Sequence, residues 1–312
     1  MTKKANTDIA VAFSGGGARG MALIGIIEEM EKEGMNMTSL AASSIGALVG
    51  AVYLSGKLEE FKERITELSR LDLLKLMDLA VNEAGFIKGD KIFKEMKSFI
   101  TVKNLEDFGI PFIVTAVDIL RREEIILDKG STLQAVRASV AIPMVFRPVE
   151  MEGRLLVDGG TMNPLPMNLT KRKQGELLMG VDLNAGITYE PPEGYGTKDK
   201  EPASSFSKAR ELVNKKWNEF VKNKGRDAPK SPAKDLGFFD FLLKSLHAVE
   251  QKLTRIALKE TEPDILVEIS IYSCGMHEFQ KASELIEYGR KQFRKAMTEW
   301  REKQEKEDHS SN

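Results

Sequence analysis

A glycine-rich turn near the start of the chain is the first place where the sequence could do chemistry. Four glycines, Gly15, Gly16, Gly17 and Gly20, stand within six residues, directly after the apolar run 9–13. Glycine allows several main-chain N–H groups to face one point without obstruction by side chains. Such a turn can hold either the phosphates of a nucleotide or the negative charge that develops during a reaction.

The nucleotide interpretation rests on spacing. Gly15, Gly17 and Gly20 match the G-x-G-x-x-G fingerprint of dinucleotide-binding proteins, and they lie between a predicted strand and a predicted helix. That interpretation requires an acidic residue at the end of the second strand, where it would bind a ribose hydroxyl. The second strand ends in Ser43 and Ser44 instead. Nucleotide binding is therefore the weaker interpretation.

The second turn contains a candidate nucleophile. Ala42, Ser44 and Gly46 follow the nucleophile-elbow pattern G-x-S-x-G, with alanine in the first position. A sharp turn here would lift the Ser44 hydroxyl to the N-terminus of a helix, where the dipole favours negative charge. Because the ends of neighbouring parallel strands lie side by side, the glycine turn can supply N–H donors to an oxyanion at Ser44. Together the two turns favour a transient charge over a stable phosphate.

A general base for Ser44 has to come from elsewhere in the chain. Of the three histidines, His247 lies on a predicted helix, His277 follows a turn and His309 lies in the last residues. Either of the first two could complete a serine–acid–histidine triad. Asp158 is the better candidate, because it ends a predicted strand and burial there would raise its pKa enough to accept a proton. Taken alone, an Asp-Gly pair indicates only a turn.

Alternating strands and helices position these turns. Residues 9–13 and 40–43 predict strands, and residues 19–33 and 45–55 predict helices, which is the alternation of a parallel α/β sheet. Further strands are predicted over 111–117, 124–127, 155–157, 177–183 and 264–271. Further helices are predicted over 58–100 with an interruption near 85–89, and over 133–139, 238–258 and 278–303. We expect the last residues, 305–312, to be frayed.

Residues 188–236 differ in composition from the rest of the chain. They contain the turn-rich stretches PPEGYG, EPASS and KSPAK, and residues 195–234 carry 11 Lys or Arg against 5 Asp or Glu. We therefore expect a core over 1–187, a basic insert over 188–236, and a segment 237–312 that completes the same domain with helices and a strand.

The overall composition is that of an ordinary globular protein. The chain has 312 residues, of which 42% are apolar and 30% charged, and its formal net charge is -1. This balance gives no reason to expect a nucleic acid partner. One cysteine, Cys274, excludes an intramolecular disulfide. With no secretory leader or membrane span in the sequence, we expect a cytoplasmic protein whose membrane contact is peripheral, at the inner face.

Three separated motifs together resemble a known family. GGGARG at 15–20, ASSIG at 42–46 and DGG at 158–160 are similar to the patatin-like phospholipase family, in its bacterial branch related to neuropathy target esterase. The stretches ASVAIP, FRP, NPLP and FQKASELIEYG are also similar to that family. The resemblance covers residues 8–185 well and 240–298 loosely. It implies a three-layer α/β sandwich with a central, mostly parallel sheet flanked by helices.

The resemblance also implies a serine–aspartate dyad without histidine. Ser44 would be the nucleophile, and Asp158 the base that takes its proton and returns it to the leaving alcohol. The oxyanion loop would comprise Gly15, Gly16, Gly17 and Arg19, with motif support from Gly20, Ala42, Gly46, Gly159 and Gly160. The implied reaction is hydrolysis of a phospholipid, lysophospholipid or other fatty-acyl ester through an acyl-enzyme. It needs no metal and no organic cofactor.

Two other functions stay open at this point. A small-substrate esterase or thioesterase would use the same dyad, and the apolar stretches 71–80 and 238–246 would then be core and not a wall for an acyl chain. A catalytically weak lipid-binding module is the second alternative. Its support is Ala42, which stands where the elbow usually has glycine.

The basic insert suggests a peripheral membrane partner. The hypothesis places six of its residues on an anionic lipid surface: Lys215, Lys216, Trp217, Phe220, Lys222 and Lys224. The basic side chains would meet lipid head groups, and the aromatic rings would lie at the interface. A solvated linker is the other interpretation of the same composition.

Overall fold

The structure, a computed structural model, describes residues 7–69, 72, 89–195 and 238–310 of the chain. The apolar stretch 71–80 lies outside the described residues apart from Asp72, and so do the six residues named in the membrane hypothesis. The described part forms a mixed α/β fold around one sheet.

The described strands and helices fall close to the predicted positions. The strands are β1 (Thr7–Phe13), β2 (Met35–Ala42), β3 (Phe112–Asp118), β4 (Glu123–Leu127), β5 (Val149–Met151), β6 (Arg154–Asp158), β7 (Leu177–Ala185) and β8 (Ile265–Ser270). The helices are α1 (Ala22–Lys32), α2 (Ile45–Leu54), α3 (Leu58–Glu67), α4 (Asp90–Met96), α5 (Thr132–Ser139), α6 (Phe238–Glu260) and α7 (Ala282–Ser310). No helix in the described part combines the length and the apolar composition that a bilayer span requires.

The sheet is mostly parallel, as predicted. Strands β3, β2, β1, β7 and β8 lie side by side in that order, and each pair of neighbours is parallel. Helix α1 returns the chain between β1 and β2, as a parallel connection requires. Strands β4 and β6 pair antiparallel with β3, and β5 pairs antiparallel with β6. The predicted α/β fold class is confirmed.

Helices cover both faces of the sheet, as the packing of the side chains of strand β1 shows. Successive side chains of a strand point to opposite faces. Ile9, Val11 and Phe13 belong to the large core cluster that also contains side chains of α1 and α7. Ala10 and Ala12 belong to a smaller cluster against which α6 packs. All five side chains are fully buried, so the continuous apolar run reflects a strand covered on both sides.

Strands β2 and β6 occupy the same edge of β3, end to end. Ala42 at the end of β2 pairs with Val114, and Asp158 at the end of β6 pairs with Ala116, further along β3. Strand β4 pairs with both Val114 and Ala116, so it takes the other edge. Strand β2 runs parallel to β3 and β6 runs antiparallel to it, so their last residues approach each other. This meeting brings Ser44, which follows β2, to Asp158.

The structure departs from the prediction at helix α7 and strand β5. Helix α7 continues to Ser310, so the fraying expected over 305–312 is wrong for residues 305–310, the part of it that the structure describes. The last turns are rich in Glu, Lys and Gln, which are strong helix formers. Strand β5 was not predicted, because it has three residues and none is fully buried.

Candidate active site

Ser44 stands at a strained turn between β2 and α2. Its backbone angles are φ 53° and ψ −127°, an unusual conformation for a residue with a side chain. Such a conformation costs about 1–3 kcal/mol and persists where the surrounding structure enforces it. Gly46 contributes to that enforcement, since a Cβ there would lie 2.7 Å from the carbonyl oxygen of Ser14. The predicted elbow is therefore present as a geometry, with fully buried Ala42 in its first position.

The Ser44 hydroxyl contacts a carboxylate. Ser44 Oγ donates to Asp158 Oδ2 at 2.5 Å, and both residues are 4% exposed. The Ser44 amide donates to Ser139 Oγ at 2.8 Å, which fixes the elbow to the end of α5. Ser139 was not singled out in the sequence, although it lies within the ASVAIP stretch. The structure thus brings together the two residues that the sequence proposed as nucleophile and base.

Asp158 is held by the turn that follows it. Its Oδ1 atom accepts a hydrogen bond from the Gly160 amide at 2.8 Å, and its own amide donates to the Ala141 carbonyl at 3.0 Å. Gly159 packs directly on β3, since a Cβ there would lie 2.4 Å from the Thr115 carbonyl oxygen. The two glycines after Asp158 therefore let the turn lie against the sheet and orient the carboxylate.

The environment of Asp158 changes its proton affinity. Burial removes the carboxylate from water and raises the pKa of Asp158 to about 7. Hydrogen bonds from Ser44 and from the Gly160 amide act in the opposite direction and offset part of that effect. A carboxyl group with a pKa near the working pH is well matched to general acid–base catalysis.

The glycine turn lies next to the elbow. A Cβ on Gly15 would be 3.1 Å from Ser44 Cβ. The Gly15 amide donates to the Pro164 carbonyl at 3.2 Å, whereas the amides of Gly16 and Gly17 donate to no residue in the described part of the chain. Gly17 has a φ of 58° and packs against Met276. Two main-chain donors of the glycine turn thus have no partner among the described residues.

Arg19 fastens the glycine turn to the end of β7. It is 2% exposed, and its guanidinium donates to the Leu183 carbonyl at 2.8 Å, the Cys274 carbonyl at 3.1 Å and Asn184 Oδ1 at 2.6 Å. Asn184 in turn donates to the Gly15 carbonyl at 2.8 Å. Gly20 packs the same turn against α2, since a Cβ there would lie 2.3 Å from Ile45 Cγ1.

The histidines take no part in the hydrogen bond of the Ser44 hydroxyl, which goes to Asp158. His247 is half-buried on α6, and burial, together with the charge of Arg19, lowers its pKa to about 4. It is therefore neutral at physiological pH. His309 lies on the exposed end of α7, where its ring contacts the Glu305 carbonyl. The geometry favours the serine–aspartate arrangement over a triad.

Comparisons with known proteins identify the family. The model of the family "Patatin-like phospholipase" matches residues 11–170. An uncharacterised NTE family protein of Mycobacterium tuberculosis is 28% identical over 326 residues, which cover 90% of this chain and 89% of that protein. The lysophospholipase NTE1 of the yeast Lodderomyces elongisporus is 24% identical over 309 residues, which cover 96% of this chain but only 20% of that protein.

One solved structure aligns with most of this chain at a low TM-score. VipD from Legionella pneumophila aligns with a TM-score of 0.44 and 14% sequence identity, over 94% of this chain and 67% of that one. The family model extends over more than half of this chain, from the glycine turn through the elbow to the turn after Asp158. The chain therefore belongs to the patatin-like phospholipase family.

Proposed function

We propose that this protein is a serine acyl-ester hydrolase in which Ser44 and Asp158 form the catalytic dyad. The proposal rests on the hydrogen bond of 2.5 Å between Ser44 Oγ and Asp158 Oδ2, at the strained turn that contains Ser44. A buried aspartate with a pKa of about 7 can bind the serine proton during attack and release it again within the same cycle.

The first half of the reaction acylates the enzyme. As Ser44 Oγ attacks the ester carbonyl carbon, its proton moves to Asp158 Oδ2. Collapse of the tetrahedral intermediate breaks the bond to the alcohol, and Asp158 returns the proton to the departing oxygen. The acyl group stays on Ser44 as an ester.

The negative charge of the tetrahedral intermediate needs fixed donors. The amides of Gly16 and Gly17 are the candidates, since the Gly15 amide already binds Pro164. Arg19 and Asn184 support these donors from behind by holding the glycine turn on β7. In this proposal Arg19 acts through the turn and does not touch the substrate.

The second half releases the acid. Asp158, ionised again, accepts a proton from a water molecule that attacks the acyl carbonyl carbon. The intermediate collapses, the fatty acid leaves, and Asp158 returns the proton to Ser44. No step uses a metal or an organic cofactor.

Membership of a phospholipase family supports fatty-acyl esters of glycerol as the substrate class, with phospholipid and lysophospholipid foremost. The relative from Lodderomyces elongisporus, which is named a lysophospholipase, points in the same direction. Such substrates lie in membranes, so we infer a peripheral encounter with a lipid surface. The membrane hypothesis for the basic insert stays a prediction.

The dyad is tested by covalent labelling. A fluorophosphonate should add once to the wild-type protein, as measured by intact mass, because an activated serine attacks phosphorus as it attacks a carbonyl. The adduct should disappear in Ser44→Ala and persist in Ser43→Ala, which removes the neighbouring hydroxyl and serves as the matched control. An adduct that survives Ser44→Ala would overturn the assignment.

The substrate class is tested by chain length. We expect kcat/KM for long-chain acyl esters to exceed that for acetate esters by at least about tenfold, because each buried methylene adds about 0.8 kcal/mol of transfer free energy. A series of p-nitrophenyl esters and lysophospholipids would measure this. Equal or higher values for acetate would favour the small-substrate esterase.

A further inference from the structure

Helix α6 brings a second carboxyl group to the dyad. The point that a Cβ of Gly160 would occupy lies 3.1 Å from Asp158 Oδ1, 3.3 Å from Glu250 Oε1 and 3.8 Å from Ser43 Oγ. Three oxygen atoms therefore face the gap beside Gly160, whose amide holds Asp158. Ser43 is fully buried, and its hydroxyl has no hydrogen-bond partner in the described part of the chain.

The position of Glu250 is fixed by the packing of its helix. The next residue, Gln251, donates to the Asn184 carbonyl at 3.1 Å. One turn further, Thr254 is 3% exposed, and Ala257 and Leu258 pack against the buried cluster on that face of the sheet. These contacts anchor α6 immediately after Glu250 and over the next two turns, and they hold the Glu250 carboxyl group beside the dyad.

The charges around Glu250 come from three elements. Asp158 at the end of β6 opposes its ionisation, and Arg19 in the glycine turn favours it. His247 and Lys244 precede it on α6 itself. Glu250 is half-buried, and this loss of water is the largest influence; together with the charge of Asp158 it raises the pKa of Glu250 to about 8.

We propose that Glu250 is a tuning residue of the dyad, coupled to Asp158 so that the two carboxyl groups bind and release protons as a pair. The proposal rests on the proposed function, in which Asp158 is the base. Both carboxyl groups lie within 3.3 Å of one point beside Gly160, so their charges do not form independently, and each proton bound by one carboxyl group alters the affinity of the other.

The order of proton release follows from the two environments. As pH rises, the pair loses its first proton near pH 7 and its second near pH 8, and the two environments favour Asp158 as the first group to ionise. When Glu250 then ionises, its charge increases the affinity of Asp158 for a proton, because the coupling is reciprocal. Asp158 therefore becomes a stronger base above pH 8 than burial alone would make it.

The coupling is measured directly by carbon-detected NMR of the side-chain carboxyl groups, with no need for turnover. In the wild-type protein the Asp158 signal, assigned by its loss in Asp158→Asn, should move in two steps, near pH 7 and near pH 8. A single step in the wild type would overturn the proposal. This wild-type measurement does not depend on the folding of any Glu250 variant.

Variants on α6 complete the test. In Glu250→Gln the Asp158 signal should keep the step near pH 7 and lose the step near pH 8. Glu260→Gln removes an equal charge from the exposed end of the same helix and should leave both steps unchanged. The rate of fluorophosphonate labelling should rise by about threefold above pH 8 in the wild type and in Glu260→Gln only, since general-base rates follow basicity.

The two proposals fail in distinguishable ways. Two NMR steps in a protein that no fluorophosphonate labels would leave the coupling intact and overturn the hydrolase. A labelled Ser44 with two steps retained in Glu250→Gln would leave the hydrolase intact and overturn the role of Glu250.

Discussion

Asp158→Asn is expected to lower kcat/KM for a long-chain acyl ester by at least about 10³-fold. The asparagine side chain has the same shape and can still accept the hydrogen bond from the Gly160 amide, which binds Oδ1. It cannot take the proton of Ser44, so the hydroxyl stays un-ionised during attack. Steady-state kinetics on the purified variant would measure the loss.

A matched control separates proton transfer from damage to the site. Asp182 is also a buried carboxyl group at the end of the sheet, and burial raises its pKa to about 6. Its side chain binds the Asn184 amide and does not contact Ser44. Asp182→Asn should retain activity within about tenfold of wild type. An equal loss in both variants would contradict a specific role for Asp158.

Stability provides the second control for Asp158→Asn. Burial raises the pKa of Asp158 above its ordinary value of 3.8, so the folded protein holds this proton more tightly than the unfolded chain. The stabilisation from that proton is complete below pH 3.8 and is lost as pH rises through about 7. At neutral pH and above, the ionised group opposes folding. The asparagine variant should therefore have a Tm equal to or higher than that of wild type.

The rate of acylation is expected to fall about tenfold for each pH unit below about 7, to roughly one hundredth of its plateau at pH 5. Only the ionised form of Asp158 can accept the serine proton, and the protonated form predominates below the pKa. The pH dependence of fluorophosphonate labelling reports this step without interference from substrate solubility. A midpoint near 4 would mean that Asp158 is well solvated in the free enzyme, contrary to its burial.

The sequence predicted the parts of the site that depend on local backbone chemistry. Glycines at 15–20, the serine at the start of α2 and the aspartate before two glycines each occupy a strand end, and a strand end can be recognised from a short apolar run. The proximity of the glycine turn to Ser44 was also predictable, because neighbouring strands of a parallel sheet end at one edge.

Other features of the site depend on tertiary packing that no local pattern encodes. Strand β6 approaches from the opposite direction, and this follows from the hairpin with three-residue β5, which carries almost no sequence signal. Ser139 binds the Ser44 amide from the end of α5, and Glu250 reaches the dyad from α6. Both are ordinary polar residues on amphipathic helices. Only the packing of those helices distinguishes them from solvated positions.

The shared edge of β3 has a consequence for how the protein acquires activity during synthesis. Ser44 and Asp158 are separated by 114 positions in the chain, and they meet only because β2 and β6 both pair with β3. Closing so long a loop is entropically unfavourable until the intervening strand offers its edge to both. In the proposed mechanism, a nascent chain that has not yet assembled this edge has no base beside Ser44. We therefore expect the proposed dyad to form late in folding, when the chain is already compact.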